Sequence, residues 1–305
     1  MNTFSGIRTQ ALSFSYLKDR PILNQIHSEF KSGKITALLG DNGSGKTTLL
    51  RIIAGIIKPS AGSFFFNDLE INSKNIGLYK QQIGYMPETL QLYPDMRPFE
   101  ALSFFNKLRH GPAERVDEIL ERVDLIQHKD KKISELSKGM KQRLNLAQAI
   151  VSNPKVLILD EPSNGFDTAS VNTFYDIIRS LAKQNTMVIL SNHQFAELGD
   201  HADDILVLAK GKVQIQGSMA EFISGSQHNK KRVWLYFDTN IVEEKKNDFL
   251  KRYPESQWIS EKCLMAHLEN AAISPFISNT GQYGLHPCNI RVESRELQAL
   301  LEAVK

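Results

Sequence analysis

The sequence predicts an α/β fold, a doubly wound parallel sheet carrying a helical subdomain, followed by a small C-terminal α+β domain. Three observations carry the prediction. Gly40-Asp41-Asn42-Gly43-Ser44-Gly45-Lys46-Thr47-Thr48 reads G-x-x-x-x-G-K-T between an apolar run and a helical one. Val156-Leu157-Ile158-Leu159 is another short apolar run, and it ends in Asp160-Glu161-Pro162. After the polar stretch Ser224 to Lys231 the pattern turns to short strands around a charged helix. The expected division is residues 1–224, with the helical subdomain at about 88–152, and residues 225–305.

Taken in order, Ala11–Tyr16 and Ile22–Phe30 alternate as strands do, and Lys31-Ser32-Gly33-Lys34 turns the chain into Ile35–Leu39. That run is short enough for a buried parallel strand. Gly40–Thr48 then has the order a phosphate loop needs. Glycines let the backbone wrap an anion, and the helix that follows adds unpaired N–H groups and a positive dipole end. Lys46 suits the β- and γ-phosphates, and the Thr47 hydroxyl suits magnesium. This makes the core a P-loop nucleoside triphosphatase. The helix is expected to run from Leu49 to Ile57 and to stop at Lys58-Pro59-Ser60-Ala61-Gly62.

Ser63–Asp68 reads as a hairpin turning at Asn67-Asp68, and Ile83–Glu88 as a strand ending at Pro87. Phe99–Leu108 and Val116–Leu125 suit two helices separated by Gly111-Pro112. Ser137-Lys138-Gly139 opens a further helix, either as an ordinary cap or as a second anion site. Asp160 at the tip of the second apolar strand suits magnesium, and Glu161 a general base. A helix over Ala169–Ala182 leads to the strand Thr186–Leu190, with Ser191-Asn192-His193 at its tip. A parallel sheet brings that tip to the same edge as the phosphate loop, which suits His193 to sensing a γ-phosphate. Tyr16 is either a platform for a purine ring or an ordinary strand tyrosine.

In the tail, Arg232–Asp238, Ser256–Ile259, Cys263–Leu268 and Cys288–Val292 read as strands, Val242–Tyr253 as a helix, and Leu297, Leu300 and Leu301 as a last helix. Over 305 residues, 41% hydrophobic and 23% charged residues are ordinary for a globular protein, and a net charge of +3 does not suggest nucleic acid. Two cysteines, Cys263 and Cys288, form neither a disulfide framework nor a zinc pattern. Apolar runs fall short of the ~18 residues of a membrane span. The expectation is a cytoplasmic protein, free or held at a membrane by a partner.

From about residue 8 to 224 the sequence resembles the ATPase subunit of an ABC transporter. Tyr16 falls at the family's adenine-stacking aromatic and Gly40–Thr48 at its Walker A loop. Leu136-Ser137-Lys138-Gly139-Met140 falls at its signature, Val156–Glu161 at its Walker B strand, Ser163–Asp167 at its D-loop and His193 at its switch histidine. The resemblance implies ATP and Mg2+ as cofactors and a head-to-tail pair of subunits. Gly40, Asp41, Asn42, Gly43, Ser44, Gly45, Lys46, Thr47 and Thr48 of one copy and Ser137, Gly139 and Met140 of the other would share one nucleotide. Glu161, His193 and Glu88 would be catalytic; Thr47, Asp160 and Glu88 would be metal ligands. The implied partners are an integral membrane permease at the inner face of the cell membrane and, through it, a periplasmic accessory protein.

The sequence departs from the family's pattern at Glu88, usually glutamine, at Lys138, usually glycine, and at Met140, usually glutamine. Ser-Lys-Gly-Met and Pro-Glu are similar to the ABC-2 branch, mostly exporters. Gly84–Pro94 and Leu208–Gly211 are similar to the ATPase of the system that matures the copper site of nitrous oxide reductase. A soluble ABC-type ATPase and a weakly hydrolysing nucleotide-dependent regulator are the other readings. The first usually carries long coiled coils or two ATPase domains in one chain, and neither pattern is seen.

Overall fold

The computed structural model describes residues 5–17, 20–109, 111–166, 168–192, 198, 201–225 and 230–293. Two compact units divide between Met219 and Ala220. The first contains β1 (Gly6–Leu17), β2 (Arg20–Lys31), β3 (Ile35–Leu39), α1 (Lys46–Ile53), β4 (Ala61–Phe66), β5 (Leu69–Glu70), α2 (Ile76–Lys80), β6 (Ile83–Met86), α3 (Pro98–Leu108), α4 (Arg115–Arg122), α5 (Lys138–Ile150), β7 (Val156–Leu159), α6 (Thr168–Lys183), β8 (Met187–Asn192), β9 (Asp204–Ala209) and β10 (Lys212–Ser218).

Among the described residues these strands make two sheets, ordered β2-β1-β4-β5 and β10-β9-β3-β8-β7-β6. The first is antiparallel. In the second, β9, β3, β8, β7 and β6 run parallel and β10 closes it antiparallel. Every residue of β3, β7 and β8 is buried. That is why these strands read as unbroken apolar runs rather than alternations: a parallel sheet is covered on both faces. β8 lies between β3 and β7, so the loops leaving all three open at one edge of the sheet.

Helix α1 ends earlier than the sequence reading expects. Its last residue is Ile53, and Gly55 takes a left-handed φ of 70°. The Gly55 N–H donates to Ile52 O at 2.9 Å and Ile56 N–H to Arg51 O at 2.8 Å. This is a Schellman cap, which a glycine two residues past the last helical position permits. The apolar run continues beyond it, which is why periodicity alone overruns the end. Tyr79 locks the same end: it is buried against Phe64 and Phe66, both with ring centroids at 5.5 Å, and its hydroxyl donates to Ile53 O at 2.7 Å. Burial pushes its phenol well above the ordinary tyrosine range.

Helix α7 (Met219–Gly225) spans the division. The second unit then contains β11 (Lys230–Tyr236), α8 (Glu243–Arg252), β12 (Ser256–Ser260), β13 (Cys263–Glu269), α9 (Asn270–Thr280) and β14 (Asn289–Glu293). The antiparallel sheet is ordered β12-β13-β11-β14. A βαββαβ chain in that order is the ferredoxin-like arrangement. Val233, Leu235, Leu264, Ala266 and Leu268 alternate onto one face and pack with Phe249 of α8 and Phe276 of α9.

Helix α9 has no counterpart in the sequence reading. Ile273, Phe276 and Ile277 have helical spacing, but Pro275 stands among them, and proline inside a helix removes a backbone bond. Burial of Phe276 overrides that local penalty. Cys263 faces Tyr236 across β11 and β13, while Cys288 reaches Tyr236 O from the other side through its N–H at 2.8 Å. Two strand spacings, roughly 9–10 Å, separate them, beyond disulfide reach, and both are free thiols. The expected last helix through Leu297, Leu300 and Leu301 lies outside the described residues.

Candidate active site

The loop after β3 is built to leave backbone N–H groups unspent. Gly45 stands at the N-cap of α1 with φ 107° and provides no side-chain cap. A Cβ there would lie 2.6 Å from Leu23 Cδ2 and 3.1 Å from Ile22 O, so both backbone angle and space demand glycine. The first N–H groups of α1 therefore keep their capacity for an outside acceptor. Ser44 Oγ is buried with no hydrogen-bond partner. Lys46 is only 6% exposed, and its ammonium donates to Gly40 O at 2.7 Å and Asp41 O at 3.3 Å, with Glu161 Oε1 at 3.8 Å. A buried ammonium, an orphaned hydroxyl and an uncapped helix start together make a cradle for anionic oxygens.

Asp160 follows β7 and is buried. Its Oδ1 accepts hydrogen bonds from Thr47 Oγ1 at 3.1 Å and Ser191 Oγ at 2.8 Å. Burial raises its pKa above the usual carboxylate range, the two hydroxyls lower it, and neighbouring Glu161 raises it again. Glu161 has φ 48°, left-handed backbone that a non-glycine residue rarely adopts. Its N–H donates to Ser191 Oγ at 2.9 Å. Lys46, Thr47, Glu88, Glu161 and Asn164 line one cleft of about 320 Å3 together with Asn42, Gly43 and Gly45. Glu88 is exposed at its rim. Thr47, Asp160 and Glu88 offer hard oxygens, the donor set a magnesium ion takes. Among the described residues no cluster of three or more His, Cys, Asp or Glu side chains could hold a metal unaided. A cation shared with phosphate oxygens fits that sparse supply.

Ser191 is the residue the sequence reading overlooks. It expects the strand to end at Leu190, whereas β8 continues through Asn192 and Ser191 is wholly buried. A hydroxyl closing an apolar buried strand must find a partner, and that signal was present.

The structure brings other predicted residues elsewhere. Tyr16 is exposed, packs edge-on against Phe14 at 4.8 Å and 87°, and does not line the cleft. The Arg51 pKa is raised above its ordinary value, chiefly by Tyr85 and to a lesser degree by Tyr16. Ser137 caps α5 by accepting from Met140 N–H at 3.2 Å. Ser137, Gly139 and Met140 are not among the residues lining the cleft of their own chain. His193 and Asp167 lie outside the described residues.

Helix α5 grips the site from behind with amide side chains three residues apart. Gln142 donates to Pro162 O at 3.0 Å, Asn145 to Pro87 O at 2.7 Å and Gln148 to Tyr85 O at 2.7 Å. Spacing of three keeps all three on one helix face. The carbonyls they hold lie three residues and one residue before Glu88 and one residue after Glu161.

A phosphate loop, an acidic strand tip beside it and a crossed parallel sheet define a P-loop nucleotide hydrolase. The ABC transporter family model matches residues 23–164. The chain is 39% identical over 206 residues to the uncharacterized ABC transporter ATP-binding protein YdbJ of Bacillus subtilis, covering 66% of this chain and 65% of YdbJ, just under two thirds of its length. It is 34% identical over 249 residues to the uncharacterized ABC transporter ATP-binding protein MJ1023 of Methanocaldococcus jannaschii, covering 77% of this chain and 90% of that protein. The structure of cbiO1 from Clostridium perfringens, part of the ABC transporter complex cbiONQ, is similar at TM-score 0.65 and 30% identity, covering 73% of this chain and 92% of cbiO1. The chain belongs to the ATP-binding proteins of ABC transporters. Among the described residues no helix is long and apolar enough to cross a membrane.

Proposed function

We propose that this chain is the ATP-hydrolysing motor of a membrane ABC transporter, acting as a head-to-tail pair that drives a separate permease. The observation that carries the proposal is the convergence of Lys46, Thr47, Asp160 and Glu161 beyond the tips of β3 and β7, the two strands that flank β8. Lys46 and the N–H groups of α1 bind and orient the phosphates of ATP. Glu161 takes a proton from the attacking water, whose oxygen bonds the γ-phosphorus as ADP leaves. Thr47 and Asp160, with Glu88 beside them, would hold a magnesium ion, which when bound neutralises charge on the phosphates. His193 is assigned to the γ-phosphate and Tyr16 to the adenine.

Ser137, Gly139 and Met140 stand at the start of α5 and not in their own cleft, which supports their use by a second copy across a two-fold axis. The cbiO1 complex supports a permease partner, and with it a location on the inner face of the cell membrane. The nitrous oxide reductase copper-site system, with a periplasmic accessory protein reached through the permease, is the more specific assignment, and it rests on Gly84–Pro94 and Leu208–Gly211. The second unit serves dimer contact or regulation.

Two measurements test this. Lys46→Ala abolishes ATP turnover, and unchanged turnover refutes the site. Glu161→Gln with ATP traps a dimer on size exclusion, and a persistent monomer refutes the head-to-tail pair. The membrane protein that co-purifies identifies the permease and, with it, the cargo. Glu88, Lys138 and Met140 favour a second reading, a nucleotide-dependent regulator. Turnover that stays negligible with the permease present would establish it.

A further inference from the structure

Ser191 uses both capacities of its hydroxyl at the site. Its proton goes to Asp160 Oδ1 at 2.8 Å, and its oxygen accepts the Glu161 N–H at 2.9 Å. One wholly buried side chain on β8 thus holds a carboxylate side chain and the backbone of the next carboxylate, both just past the end of β7. The sheet order makes this possible, because β8 is the strand inserted between β3 and β7. Thr47 also donates to Asp160 Oδ1, at 3.1 Å. That donation uses the Thr47 proton and leaves its oxygen lone pairs for a metal, whereas Ser191 engages Asp160 with its proton and the Glu161 N–H with its oxygen. Glu161 sits in left-handed backbone, a conformation that persists only where its surroundings over-determine it, and the bond from its N–H to Ser191 is one of those constraints.

We propose that Ser191 is a positioning residue for ATP hydrolysis: it aligns Asp160 with Thr47 and fixes the backbone from which Glu161 projects. The proposal rests on the ATPase reading above. Groups that orient a metal-binding carboxylate typically change activity or metal affinity by about 10–100-fold when removed.

The test uses the full chain with Ser191→Ala, Ser191→Cys and Ser191→Thr, with Lys46→Ala and Glu161→Gln as controls. Four quantities are read: kcat and KM for ATP, nucleotide affinity in EDTA, Mn2+ affinity with a non-hydrolysable ATP analogue by electron paramagnetic resonance, and the melting temperature. Ser191→Ala is expected to lower kcat about 10–100-fold and to weaken Mn2+ binding, with KM and metal-free nucleotide affinity little changed. Ser191→Thr, which keeps the hydroxyl, restores most of both, and Ser191→Cys falls between. Wild-type kcat and Mn2+ affinity in Ser191→Ala overturn the proposal. So does a parallel fall in metal-free affinity, melting temperature and kcat that Ser191→Thr fails to rescue. If Ser191→Ala does not fold, Ser191→Cys decides: wild-type kcat and Mn2+ affinity overturn the proposal, and loss of both at retained melting temperature supports it. If the wild type binds Mn2+ and nucleotide yet does not hydrolyse, the ATPase reading fails, while the Mn2+ comparison still decides the role of Ser191.

Discussion

The six-stranded sheet of the first unit has its central strands buried from end to end, while the four-stranded sheet of the second unit gathers its two helices on one face. In the first, β3, β7 and β8 have no polar face to spend, so Lys46, Thr47, Asp160, Glu161 and Ser191 collect at or beyond the strand tips. In the second, Val233 and Leu235 go inward while Arg232, Trp234 and Tyr236 alternate to the other side and stay half-buried. Its polar groups are dispersed along the strands. A sheet closed on both faces concentrates chemistry at its edge; a sheet packed on one face spreads it thin.

The largest expected effect separates the two units. Phe249 is fully buried among Tyr253, Phe276 and Tyr283. Phe249→Ala should cost the second unit roughly 3–5 kcal/mol, seen as a lowered calorimetric transition, with nucleotide binding by the first unit retained. Loss of nucleotide binding would break the comparison. Gly45→Ala should do the reverse. It forces a side chain into left-handed backbone, a strain of about 1–3 kcal/mol, besides its clash with Leu23. ATP affinity, read by fluorescence titration, should fall while the transition of the second unit holds.

A smaller effect sharpens the picture of the edge. Asn145→Ala leaves Pro87 O without its donor, and should cost about 1–3 kcal/mol in chemical denaturation and lower turnover through Glu88. At the bottom of the scale stands an exposed pair far from either core, Asp95 and Lys132 at 2.8 Å. Lys132 holds the Asp95 carboxyl below the usual range. A depressed carboxylate stabilises above its unfolded pKa and loses that contribution as pH falls, but exposed pairs are screened. In Lys132→Ala the Asp95 pKa should rise toward its ordinary value by NMR titration, with no measurable change in melting temperature.

These contrasts also explain what the sequence disclosed. Gly40–Thr48 and Val156–Glu161 were legible because each packs its chemistry into contiguous residues with a required order. Ser191 was not, because its two partners follow another strand and only sheet order makes them neighbours. The early end of α1 hid inside a run of apolar residues, since Gly55 acts through a backbone angle rather than through polarity. Pro275 concealed α9 by a local rule that burial of Phe276 overrules. The spacing of Gln142, Asn145 and Gln148 was visible, yet their acceptors are backbone carbonyls, which carry no residue identity to be read.

That amide ladder has a mechanical corollary. Three rungs fasten a single rod to the chain on either side of the cleft: at Tyr85 and Pro87 on one flank, at Pro162 on the other. A force that tilts the rod near Ser137 is delivered to both flanks in the same stroke. Glu88 and Glu161 share one chassis, because the backbone beside each is fastened to the same helix.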